Sequence, residues 1–237
     1  MNIKTSFAMV SVAASLLVVM SAPAHAVSLN KGFVAEPFLD THLSGTTSAA
    51  RPELAGLVHE DVITPFSFGA LNISGTVQNR VVRETVSGTL DFYWRIKVDP
   101  TSTGGAVEAF RLGGFGYGNI VDADWRIDGV GASPADTGRV FNPDPVGRPD
   151  GAINFLFTDH PVRPGDPAAG DTGSNFFFLH TDATHYAKIA TYDLLGGPNQ
   201  TLSDSFKTFA PVPEPSSFVL MALGLGVAGF AVRRRRT

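Results

Sequence analysis

Residues 89–98 read TLDFYWRIKV, and apolar and polar side chains alternate through this stretch. Strict alternation predicts a β-strand with one buried face, because successive side chains of a strand point to opposite sides of the sheet. The face that we expect in a core begins with Leu90, Phe92 and Trp94. The opposite face, expected at the solvent, holds Asp91, Tyr93, Arg95 and Lys97.

Short apolar runs of similar length recur along the chain and are separated by clusters of Gly, Pro, Asp or Asn. Many short strands between turn signals are typical of two packed antiparallel sheets. The sequence therefore predicts an all-β fold, an antiparallel β-sandwich of jelly-roll-like type that forms a single domain. The other candidate strands are residues 71–84 (with a bend at Ser74-Gly75), 107–112, 123–128, 153–158, 175–181, 186–194 and 202–209.

The predicted body, residues 27–210, is long enough to bury a core without disulfides, and the chain contains no cysteine. Thiol nucleophiles and cysteine metal sites are thereby excluded. Residues 27–212 carry 13 Lys and Arg against 21 Asp and Glu, a net charge of −8. Such an acidic body argues against nucleic acid as a partner, because nucleic-acid binding needs a basic surface.

Two proline-rich connections, residues 133–151 and 159–173, are long enough to suggest binding loops, although ordinary surface excursions explain them equally well. Aromatic side chains near these loops, or at Tyr117 and Trp125, would suit a sugar ligand.

The acidic run from Asp122 to Asp128 invites comparison with a calcium loop, but it does not match an EF-hand. Arg126 occupies the fifth position and Ser133 the twelfth, where carboxylates are required. We interpret Asp124, Arg126 and Asp128 as a charged ladder on the surface of a strand, with a turn after Asp128.

His180 and His185 flank a predicted hairpin turn, and His160 lies upstream. This spacing allows a zinc site but fixes no third ligand, so no metal and no cofactor are predicted.

A glycan-active enzyme would need two carboxylates at a defined separation, and the sequence nominates no such pair. Glu84, Asp91 and Glu108 are expected on solvent faces of strands. No catalytic residue is therefore predicted, and a non-enzymatic role is favoured.

The N-terminus has the three parts of a secretory signal peptide. Lys4 is the charge that precedes an apolar run over residues 7–20, and Ala24-His25-Ala26 supplies small residues for cleavage. Residues 1–26 are therefore predicted to be removed by signal peptidase after Ala26.

The C-terminus contains an uncharged stretch, residues 216–232, at the lower length limit for a transmembrane helix. A stiff, extended Pro213-Glu214-Pro215 stem precedes it, since each proline fixes its own backbone and restricts its neighbour. The cluster that follows is expected on the cytoplasmic side. It consists of Arg233, Arg234, Arg235 and Arg236.

The order of these parts over residues 211–237 resembles the PEP-CTERM sorting signal of Gram-negative bacteria. The resemblance implies recognition by an exosortase in the inner membrane, removal of the tail, and delivery to the cell surface or extracellular matrix of an exopolysaccharide-producing, biofilm-forming species. It suggests a structural or adhesive role beside exopolysaccharide, with a carbohydrate-binding module or glycan-active enzyme as the alternative. The motif residues are Val212, Pro213, Glu214, Pro215 and Ser216, followed by the arginine cluster.

We expect the protein recovered outside its native cells to begin at Val27 and to lack the arginine cluster, because both ends are interpreted as sorting signals. Intact-mass spectrometry of the secreted protein measures both ends at once. Secreted material that retains Arg233 to Arg236 would contradict the sorting interpretation.

Overall fold

The computed structural model describes residues 28–29, 38–69, 71–116, 118–141, 151–165 and 173–212. These residues form two antiparallel β-sheets, and a single turn of 3₁₀-helix at Pro52–Leu54 is the helical element among them. The predicted all-β fold is confirmed.

The two sheets contain five and seven strands. The five-stranded sheet has, in spatial order, β2 (Gly56–Ser67), β3 (Ser74–Glu84), β4 (Leu90–Val98), β9 (Phe177–Thr181) and β6 (Ile120–Trp125). The seven-stranded sheet has β1 (Phe38–His42), β7 (Thr137–Phe141), β8 (Ala152–Leu156), β5 (Val107–Gly113) and β10 (Tyr186–Gly196), followed by β11 (Thr201–Leu202) and β12 (Phe206–Pro211), which both pair with β10.

The central position of β4 results from a meander and a crossover. Strands β2, β3 and β4 follow one another along the chain and in space, whereas β9 arrives from the other sheet to pair with β4. Asp91 then lies opposite His180 of β9, and His180 lies opposite Asp122 of β6. This register brings polar residues from distant parts of the sequence onto one face.

Aromatic side chains fill the space between the sheets. Trp94 of β4 is fully buried and lies 5.4 Å from the ring of Phe110 and 6.2 Å from Phe177, with which it stacks. Phe110 in turn stacks on Tyr192 of β10 at 4.9 Å. Ring pairs at these distances stabilise a core beyond their buried area, by about 0.5–1.5 kcal/mol each.

A chain of buried hydrogen bonds links the two sheets through this core. The Trp94 indole donates to the Thr208 hydroxyl at 2.9 Å, and that hydroxyl donates to Asn79 Oδ1 at 3.0 Å. Thr208 belongs to β12 in the seven-stranded sheet, whereas Trp94 and Asn79 belong to the five-stranded sheet. The link satisfies polar groups that would otherwise be buried without partners.

Several strand boundaries differ from the prediction. The bend expected at Ser74-Gly75 is wrong, because Gly75 lies within β3 and pairs with Phe66 and Val98. Strand β2 is absent from the predicted strands; its Pro65 is tolerated because β2 is an edge strand. Strand β7 lies inside the predicted loop 133–151, and the predicted strand 202–209 is divided between β11 and β12.

We expect Thr208→Val to lower the free energy of unfolding by about 1–3 kcal/mol, because valine keeps the volume but leaves two buried polar groups unpaired. Thr208→Ser is the matched control, since it keeps the hydroxyl and loses one methyl group. In urea unfolding, the free energy of unfolding should be higher for Thr208→Ser than for Thr208→Val. The reverse order would show that packing alone, and not the hydrogen-bonded link, determines stability here.

Candidate functional site

The outer face of β4 is covered over most of its length, contrary to the prediction that it meets solvent. Asp91 and Tyr93 of β4 are 0% and 4% exposed, and Arg95 is also buried; Lys97 is exposed as expected. Leu54, from the 3₁₀ turn, packs on this face in a small apolar cluster. The other members of the cluster are Val82, Tyr93, Phe176 and Phe178.

A cleft of about 430 Å³ lies on this covered face, within the range of roughly 300–1,000 Å³ that is usual for small-ligand sites. Apolar side chains form most of its surface, and two arginines and a tyrosine supply its polar groups. It is lined by Leu54, Ala55, Gly56, Val58, Arg80, Val82, Tyr93, Arg126, Gly129, Val130 and Phe176.

Two of the polar groups in the lining donate no hydrogen bond within the described residues. The Nε of Arg80 is buried and has no partner. The buried Tyr93 hydroxyl lies beside the Arg126 guanidinium, which can donate to it but cannot accept its O–H. Burial, reinforced by the charge of Asp91, raises the pKa of Tyr93 well above its ordinary value, so this hydroxyl remains a donor. Buried donors without partners are rare in folded proteins and indicate a place where a ligand supplies the acceptor.

The two arginines are held in position by carboxylates outside the lining. Arg80 donates from Nη2 to Asp61 Oδ2 at 2.8 Å, and its guanidinium lies 4.7 Å from the ring centroid of Phe176. Arg126 donates through Nε and Nη2 to the two oxygens of Asp128, at 2.8 and 3.1 Å. The positive charges are thus fixed at the cleft before any ligand binds.

Next to the cleft, three strands bring Glu84, Asp91 and His180 together. His180 Nδ1 lies 2.7 Å from Asp91 Oδ1 and 3.2 Å from Glu84 Oε1. Burial raises the pKa of Asp91 to about 6, although the hydrogen bond with His180 opposes that rise. Burial alone would lower the pKa of His180, but the hydrogen bond and charge of Asp91 outweigh it and raise that pKa.

Arg51 adds one cation beside this cluster, and it is already paired. Its Nη1 and Nη2 donate to the two oxygens of Asp122 at 3.0 and 3.1 Å, and its Nε donates to Glu53 at 2.8 Å. Because Asp122 lies opposite His180 in the sheet, the Arg51–Asp122 ion pair lies next to the Glu84–Asp91–His180 cluster on the outer face.

The predicted charged ladder on β6 is wrong for Asp124. That residue is 0% exposed, and its Oδ1 accepts hydrogen bonds from the backbone of Gly45 at 2.7 Å and of Trp125 at 3.0 Å. The segment from Gly45 onward lies along β6, as the bridge between Thr46 and Arg126 shows, and covers this carboxylate. The expected turn after Asp128 is confirmed, and Arg126 and Asp128 do pair.

The predicted hairpin between His180 and His185 is also wrong. His180 lies in β9 of the five-stranded sheet. The chain then crosses to the other sheet, where β10 begins directly after His185. His160 is exposed. Among the described residues, the ligand-type side chains that gather around His180 are Glu84 and Asp91, both predicted at the solvent and both buried.

Sequence reasoning missed this site because alternation shows that one face of β4 is apolar but does not show whether the other face is covered. A usable signal was Tyr93, since a large aromatic residue on a supposed solvent face favours a covering layer.

The predicted processing residues lie mostly outside the described part of the chain. The processing residues outside the described ranges are Ala24, Ala26, Pro213 to Ser216 and Arg233 to Arg236. Tyr117 and much of both proline-rich loops also lie outside these ranges. Val212 is described; its backbone N–H donates to the His185 carbonyl at 3.1 Å. In the described ranges, none of the helical structure has the length and apolar character that crossing a bilayer requires.

Comparison with known proteins identifies the C-terminal segment. The model of the PEP-CTERM protein-sorting motif matches residues 211–236, which confirms the resemblance. The motif implies an exported protein that is sorted by an exosortase from a membrane-anchored precursor. No curated protein and no solved structure matches the chain.

We expect Asp124→Asn to change how stability depends on pH. Burial raises the pKa of Asp124 from 3.8 to about 6, so the native state holds this proton more tightly than the unfolded state. The stabilising contribution is complete below pH 3.8 and is lost as the pH rises through about 6. Relative to the asparagine variant, the wild type should therefore lose about 3 kcal/mol of unfolding free energy between roughly pH 4 and pH 7.

Urea unfolding at several pH values measures this difference. Asp128→Asn is the control of opposite sign, because the hydrogen bond from Arg126 lowers the pKa of Asp128, so that its contribution is lost on acidification. Parallel pH profiles for the wild type and Asp124→Asn would contradict the assignment.

Proposed function

We propose that the exported body is a non-enzymatic adhesive protein of the Gram-negative cell surface or extracellular matrix, and that its cleft binds an acidic exopolysaccharide. The observation that carries this proposal is a pair of buried donors, Tyr93 O–H and Arg80 Nε–H, for which the described residues supply no acceptor, in a cleft with apolar walls.

The chemistry of the cleft suits a sugar acid. A uronic acid residue presents a carboxylate, hydroxyl groups and apolar C–H faces. Arg80 and Arg126 would attract the carboxylate, since guanidinium groups match carboxylate geometry. The Tyr93 hydroxyl would donate to a sugar oxygen, while Val58 and Val130, both about half exposed, would meet the apolar faces.

The carboxylates of the outer face favour binding over hydrolysis. The described residues that line the cleft include neither aspartate nor glutamate, whereas glycosidases place two carboxylates at the scissile bond. Asp91 and Asp124, the carboxylates of the five-stranded sheet whose pKa values are raised, are 0% exposed and do not belong to the described cleft lining.

Sorting and binding then form one sequence of events. Signal peptidase would release the N-terminus, the precursor would reside in the inner membrane, and the exosortase would remove the tail. The cleft would travel with the body, because the described residues that line it lie between Leu54 and Phe176, ahead of the sorting motif at residues 211–236.

We expect the exported protein to bind polygalacturonate, and not uncharged dextran, with an affinity that falls as salt is raised. Arg80→Gln should weaken binding by about ten-fold or more, because a charged hydrogen bond is lost, and Tyr93→Phe by about three- to ten-fold. Isothermal titration calorimetry measures both effects.

Arg139→Gln is the matched control. Arg139 also pairs with an aspartate, Asp40, and lies over a phenylalanine, Phe38, but it belongs to the seven-stranded sheet. Equal losses for Arg80→Gln and Arg139→Gln, or equal binding of both polymers, would contradict the proposal. Release of new reducing ends from the polymer would show cleavage, and would replace the binding proposal with the alternative of a glycan-active enzyme.

A further inference from the structure

We propose that Glu84, Asp91 and His180 form a binding site for a divalent transition metal, with Zn²⁺ as the ion that best suits the donors. The site joins the end of β3, the start of β4 and β9, and it is independent of the glycan proposal.

The three side chains already have an arrangement close to that of a metal site. Each offers one ligand atom, and these atoms lie within 4.8 Å of one another. Ligands at about 2.0–2.2 Å from a tetrahedral Zn²⁺ are separated by roughly 3.3 Å. The distances of 2.7 and 3.2 Å from His180 Nδ1 to the two carboxylates would therefore lengthen by about 0.6 and 0.1 Å, while the carboxylate oxygens already lie within 4.8 Å of each other.

The carboxylates carry a separate indication that more positive charge is needed than the single imidazolium of His180 can supply to two carboxylates. Asp91 Oδ2 and Glu84 Oε1 are buried and accept no hydrogen bond, and the two residues are 0% and 4% exposed. Burial of a charged group is costly unless the charge is paired. Arg51 does not pair with them, because its donors bind Asp122 and Glu53.

The surroundings also resemble the supporting shell of a metal site. The Ser87 hydroxyl donates to Glu84 Oε2, and Thr89 Oγ1 lies 2.6 Å from Ser87 Oγ, so a second layer orients Glu84. The His180 side chain is 15% exposed, which leaves a path for a water molecule as fourth ligand.

The donor set selects the kind of ion. Two carboxylate oxygens and one imidazole nitrogen suit Zn²⁺, whereas Ca²⁺ takes six to eight oxygen ligands. A bound ion would join the β3–β4 turn to β9 at a point two residues from Val82 and Tyr93 of the cleft, and so stabilise the outer face.

The test is titration of the exported protein with ZnCl₂ after removal of metals with EDTA. We expect one Zn²⁺ per chain at micromolar or lower Kd and a higher melting temperature. Asp91→Asn and His180→Gln should each weaken binding by about a hundred-fold. His185→Gln and Asp122→Asn are the controls, a nearby histidine and a neighbouring carboxylate outside the set, and should change Kd by less than about three-fold.

A measurement on the wild type alone avoids the possibility that a variant loses binding because it does not fold. Binding of diamagnetic Zn²⁺ to the wild type should shift the ring resonances of His180 in NMR spectra and leave those of the exposed His160 unchanged. Absence of Zn²⁺ binding, or binding that survives both ligand variants, would overturn the site in favour of a metal-free hydrogen-bonded triad. Loss of binding in His185→Gln would instead support the histidine pair.

Discussion

Burial of β4 on both faces is the constraint on which the rest of the structure depends. Its inner face places Trp94 among the aromatic rings of both sheets and ties the indole to Thr208. Its outer face lies beneath Leu54 and the neighbouring apolar cluster. A strand buried on both sides must pair every polar group that it carries, because water is not available to replace a missing partner.

That requirement explains why both proposed sites lie on the outer face. Arg95 meets the requirement for a partner by donating to the Ser174 carbonyl at 3.0 Å. Asp91 meets it in part, because one of its oxygens is hydrogen-bonded to His180. Two side-chain atoms of β4 fail to meet it, Asp91 Oδ2 in the Glu84–Asp91–His180 cluster and Tyr93 OH at the cleft. Binding of a ligand at either place would supply the missing partners, so the same physical cause underlies both proposals.

The described part of the body ends where the sorting tail begins. Strand β12 ends at Pro211, where the match to the sorting motif begins, and its pairing with β10 is complete at that point. Thr208, three residues earlier, anchors the strand in the core through Trp94 and Asn79. Removal of the tail beyond Val212 would therefore leave every strand of both sheets intact.

Local pattern was sufficient for the sorting signal, the all-β class and the inner face of β4, because each depends on residues that are close in sequence. Alternation with a period of two identifies an apolar face from a few consecutive residues. It could not decide that Asp91 and Tyr93 are covered, that His180 faces Asp91 instead of His185, or that Pro65 lies in an edge strand. Most of those features depend on contacts between residues far apart in the sequence. Examples of such contacts are Arg51 with Asp122 and Trp94 with Thr208, which are separated by 71 and 114 residues. Only the packing of the two sheets brings such residues together, since nothing in the local sequence encodes which distant segment will cover a given face.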